Sequence, residues 1–121
     1  MDVLDTLKGG LEKVEEGWTK LALARDKDGA PRGARDSKAV EWCIAGAFLI
    51  AGDGSWGNSS VTGEAMKACA AVLPEGAYMR GLNTSPWERM VEFNNAQETV
   101  EPVAEIIKKA IKAKEAELTP A

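Results

Sequence analysis

The stretch "AVEWCIAGAFLIA" at residues 39–51 constrains this chain more than any other. It is apolar almost all the way round a helical wheel, with Glu41 as its one charge. A helix without a polar face has to lie inside the molecule, with other elements on every side. The small residues Ala45, Gly46 and Ala47 let those neighbours come close. The pattern predicts a central helix over 37–51, capped by Asp36 or Ser37.

A core helix needs amphipathic partners, and the sequence supplies them. Leu4, Leu7, Leu11, Val14 and Trp18 fall at helical spacing and predict a first helix over 2–16, capped by Asp2 and stopped by Gly17. Gly9 and Gly10 interrupt it at about 1 kcal/mol each against Ala, which points to close approach of another backbone. Ser59 or Ser60 opens a third helix to about 73, carrying Met66, Cys69, Ala70 and Leu73 and ended by Pro74-Glu75-Gly76. "SPWE" at 85–88 combines a capping box with a first-turn proline. It starts a fourth helix with Trp87, Met90, Val91 and Phe93 that fades at Asn94-Asn95. Val103, Ile106, Ile107, Ala110 and Ile111 form the stripe of a last helix over 100–116. Its acidic start and basic end follow the helix dipole.

Between the first and central helices, "WTKLALARDKDGAPRG" at 18–33 loses the helical spacing, and Asp28-Gly29 is a tight-turn signal. Residues 20–25 and 29–33 read as a small hairpin or an extended loop leaning on the helices. The expected fold is mainly α. It is a single domain over 1–121 with about five helices around 37–51 and a short hairpin or loop at 20–33.

Several chemistries are excluded by what the chain lacks. It has no histidine, which removes Ser-His-Asp, Cys-His and HExxH sites. The two cysteines, Cys43 and Cys69, lie in Ala-rich apolar surroundings suited to small buried thiols. No metal or cofactor site is expected. A net charge of -4 argues against general nucleic-acid binding. The longest apolar run, 44–51, is too short to span a bilayer, and the first residues do not read as a signal peptide. A cytoplasmic location is expected. The carboxylates Glu41, Asp53, Glu64, Glu88 and Glu92 form no spaced pair. Glu41, on the most apolar stretch, is either desolvated or paired with an arginine of the hairpin.

The candidate sites are surface features. "GDGSWG" at 52–57 fits G-x-G-x-x-G, but the run before it is too long and Ala-rich for a strand, so it reads as a helix stop and a loop. Gly57-Asn58-Ser59-Ser60, ahead of a helix, offers backbone N–H groups to an anion, and a pocket would lie near Gly54, Trp56 and Asn58. Trp56 either plugs that loop or anchors a partner. Asp26-Lys27-Asp28-Gly29 lacks the remaining oxygen ligands of a calcium loop. The segment 20–38 is locally positive, through Lys20, Arg25, Lys27, Arg32, Arg35 and Lys38, and suits an acidic partner.

Two stretches also carry a resemblance. Trp18 followed by Ala24, Arg25, Asp26 and Gly29, then Ala39, Trp42, Cys43, Gly46 and Ala47, resembles a family of small uncharacterised bacterial and phage proteins. Phe93-Asn94-Asn95 looks like a divergent copy of that family's Trp-Asn-Asp, and Ala110-Ile111 like its closing pair. The resemblance implies a helical domain and a phage setting, and it implies no activity.

The leading expectation is a non-catalytic interaction module, an inhibitor or adaptor toward a host protein. Its surface would draw on Arg25, Lys27, Arg32, Arg35, Trp56, Asn58 and Arg80. The alternatives are a small-molecule binder or enzyme with a pocket at 52–60, and a structural homo-oligomer. Without a catalytic constellation the reading leans away from an enzyme.

Overall fold

The Asp2 side chain accepts the Asp5 backbone N–H and starts α1 (Val3–Glu16), as a capping carboxylate should. A computed structural model describes residues 2–54, 60–74 and 85–118 of the chain. Its elements follow in the order α1, β1 (Ala24–Arg25), β2 (Pro31–Arg32), β3 (Glu41–Trp42), α2 (Ile44–Ala51), α3 (Val61–Ala70), α4 (Pro86–Asn95) and α5 (Glu101–Leu118). The fold is mainly helical, with a small antiparallel sheet of order β2-β1-β3. No helix among the described residues is long and apolar enough to cross a membrane.

α2 is the expected centre, but it is shorter than the sequence predicts. Residues 37–43 are not helical. The Asp36 carboxylate takes the Lys38 N–H at 2.8 Å, which turns the chain before a helix can start. Glu41 and Trp42 then pair with β1, setting Ala24 opposite Trp42 and Arg25 opposite Glu41. On its other side Trp42 donates its N–H to Gly17 O (2.9 Å) and accepts from Thr19 N (3.2 Å). Backbone partners on both sides outweigh the helical periodicity of the apolar run. The helix starts at Ile44, where Cys43 caps it through Sγ.

Residues Ile44 to Leu49 of α2 are all buried. α1 packs along α2 and against α5, while α3 and α4 pack on each other and on α2. The close approach at Gly10 comes from a side chain and not from a backbone. A Cβ there would run into the Phe48 ring, and one at Gly9 would sit 2.9 Å from Ala51 Cβ. Backbone approach occurs at Gly46, where a Cβ would run into the Leu23 carbonyl. The hairpin expected over 20–33 forms at β1–β2, with Gly29 at φ +82. Ser85 caps α4 as read from the sequence, and of the two candidates for α3, Ser59 and Ser60, the cap is Ser60.

Candidate functional site

Residues 18–43, between α1 and α2, form a frame held by side chains more than by sheet. Three residues do most of this.

Asn94, fully buried on α4, is the first. Its Oδ1 accepts from Trp18 Nε1 (2.8 Å) and from Ile44 N (3.1 Å). Its Nδ2 donates to Thr19 O (3.2 Å) and Asn95 Oδ1 (3.4 Å). Two donors on the oxygen and two acceptors on the nitrogen fix the amide's orientation. One side chain thereby ties α4 to the start of the frame and to the first turn of α2.

Arg25 is the second. Its guanidinium reaches Thr19 Oγ1 (3.0 Å), Gly29 O (2.9 Å) and Lys20 O (3.2 Å). Arg25, a candidate contact residue, is half-buried and clamps the frame through these three bonds. Asp26 is the third. One oxygen takes the N–H groups of Asp28 (2.9 Å) and Ala30 (3.0 Å), and the other takes Arg32 Nε (2.9 Å). The bond from Arg32 and then the Ala30 N–H hold this carboxyl below its ordinary pKa. Arg32 also lies 3.8 Å from Asp36, so its charge is largely spent within the frame.

Other candidates stay available. Lys27 and Lys38 are exposed and make no ion pair among the described residues. They line a cleft of about 440 Å³ with Asp26, Asp28, Arg32, Ser37 and Val40. Arg35 lies over Gly54, which has φ +79, beside a separate cleft of about 270 Å³. Trp56, Asn58 and Arg80 lie outside the described residues. The G-x-G-x-x-G run follows a helix, so it lacks the strand that a dinucleotide turn requires.

Leu21 gave no sequence signal and is the most unusual residue of the frame. It is the one non-glycine with positive φ among the described residues, at 67°. Its side chain is 72% exposed. Its N–H donates to Asn95 Oδ1 (2.9 Å), and the preceding carbonyl is held by Arg25. It stands at the mouth of an apolar cleft of about 400 Å³ that includes Leu23, Cys43, Trp87 and Val91.

Cys43 and Cys69 are buried and unpaired, and burial pushes both thiols up, away from the reactive thiolate. Among the described residues no three His, Cys, Asp or Glu side chains group to hold a metal.

Fold and site together define a small helical protein that braces an exposed loop from within. The chain belongs to the family of unknown function DUF6197, whose model matches residues 2–113. No curated protein and no solved structure matches it.

Proposed function

We propose that the protein is a non-catalytic interaction module whose contact surface is the frame 18–43. In the phage setting that the resemblance suggests, it acts as an inhibitor or adaptor toward a host protein. Leu21 carries this reading. A left-handed backbone costs an ordinary L-residue about 1–2 kcal/mol, and asparagine or glycine would relieve it. The chain instead keeps a large apolar side chain there, in solvent, beside an apolar cleft. Strain held by surrounding hydrogen bonds is a recognised mark of a functional position.

Affinity capture from lysate of the cell that carries the chain tests the reading. A specific partner is expected. A monodisperse monomer that captures nothing across several salt conditions would contradict it.

A second reading is supported by Arg35. Its guanidinium, lying over Gly54 with no ion pair among the described residues, suits a small anion. A thermal-shift panel of nucleotides and phosphorylated metabolites tests this. A ligand at about 100-fold above its Kd adds about 2.7 kcal/mol, and a flat response across the panel excludes it.

A further inference from the structure

We infer that the apolar cleft between residues 21–23 and α4 takes an uncharged peptide segment of the partner, with an aliphatic side chain in the cleft and a backbone carbonyl bonded to Asn95 Nδ2. This rests on the interaction-module reading above.

Trp87, Val91 and Asn95 fall four residues apart, share one face of α4 and make one wall of the cleft. Leu21, Ala22 and Leu23 line it from the loop, together with the buried residues Cys43 and Ala45. Its volume of about 400 Å³ falls within the ~300–1,000 Å³ usual for ligand sites. Among the described residues no charged side chain lines it. A charge seated there would lose water and meet no counter-charge, so the electrostatics select a neutral occupant.

Asn95 sets what else that occupant carries. Its Oδ1 accepts from Leu21 N (2.9 Å) and from Asn94 Nδ2 (3.4 Å), which fixes the orientation of the amide. Its own Nδ2 is left with no acceptor among the described residues. The backbone N–H and C=O of Ala22 have no partner there either. The cleft therefore sets unspent donors and an acceptor beside an apolar hollow. A peptide carries the matching carbonyl and N–H next to each side chain, whereas a plain hydrocarbon would leave those groups unpaired. One atom of Asn95 holds the strained Leu21 backbone, and another reads the partner.

NMR titration of the isotope-labelled protein with N-acetyl-leucine-N-methylamide tests the inference. The amides of Leu21, Ala22 and Val91 and the side-chain NH2 of Asn95 are expected to shift. The slope of shift against concentration should be at least about tenfold smaller for the equally blocked glutamate, which is charged, and glycine, which has no side chain. Asn95→Asp keeps an acceptor for Leu21 and Asn94 but has no N–H to give. It should retain the strong intraresidue HN–Hα cross-peak of a left-handed Leu21 and cut the slope for the leucine probe at least about tenfold. Val91→Lys puts a charge on the same wall without touching a bond of Asn94 or Asn95, and it should cut the slope as far. Equal slopes for the three probes overturn the inference. So does a leucine probe that shifts none of these residues up to its solubility limit, or a response that survives either variant. Shifts of Leu21 and Val91 on dilution of the protein alone would place a second copy in the cleft and overturn it too. Capture of the partner that needs Leu21 but survives Asn95→Asp and Val91→Lys overturns this inference alone and leaves the module reading standing.

Discussion

The indole N–H of Trp18 donates to the carboxamide oxygen of Asn94 at 2.8 Å, joining residues 76 positions apart in sequence. The same oxygen accepts from Ile44 N, at the start of the central helix. Replacing Asn94 by Ala strands both donors and the Thr19 carbonyl. The expected loss is about 3 kcal/mol, read by urea denaturation. Trp18→Phe keeps most of the packing and should cost about 1 kcal/mol. The two changes share a bond, so together they should cost less than their sum.

Gly46 faces the carbonyl of Leu23, where any Cβ collides with backbone. Backbone cannot step aside as a flexible side chain can. Gly46→Ala should cost about 3 kcal/mol in chemical denaturation, although alanine is the better helix former. Stability equal to the native chain would mean that the frame does not rest on α2.

Asp26 gives the fold an acid-sensitive point. Its pKa is held below the ordinary 3.8, first by Arg32 and then by the Ala30 N–H. A lowered carboxyl pKa contributes stability above the unfolded value and loses it as pH falls through the folded one. Glu101, lowered first by the Thr99 hydroxyl, acts in the same direction. Thermal melts from pH 6 down to pH 2 should therefore fall less steeply for Asp26→Asn than for the native chain. Parallel curves would contradict the Asp26–Arg32 pairing.

Thr62, in the first turn of α3, is fully buried, and its hydroxyl has no hydrogen-bond partner among the described residues. Valine keeps the shape and removes the unsatisfied group. Thr62→Val should add about 1 kcal/mol, measured by the midpoint of urea unfolding.

Much of the architecture is legible in the sequence because it is local. Asp2 and Ser85 cap the helices the sequence assigns to them, Ser60 is one of the two caps it offers for α3, and the stripe of Val103, Ile106, Ile107 and Ala110 is buried. Residues 37–43 mislead because their apolar run satisfies a helical pattern, while their hydrogen bonds go to Gly17, Leu23 and Arg25. Such partners are distant in sequence and leave no periodic trace. The site divides in the same way. The positive segment was visible by composition, but only the structure separates Arg25 and Arg32, spent on the frame, from Lys27 and Lys38. Asn94-Asn95 reads in sequence as a fading helix end, and in three dimensions it anchors the loop. Nothing local marks Leu21, because its backbone conformation is imposed by Asn95 and Arg25 from outside.

The most direct measurement of the central claim compares Leu21→Asn with the native chain, in stability and in capture of the partner. Asparagine tolerates a left-handed backbone and removes the apolar anchor. The account predicts a variant at least as stable as the native chain, by about 0.5–1 kcal/mol, that no longer holds the partner. Undiminished capture by a folded Leu21→Asn protein would contradict it.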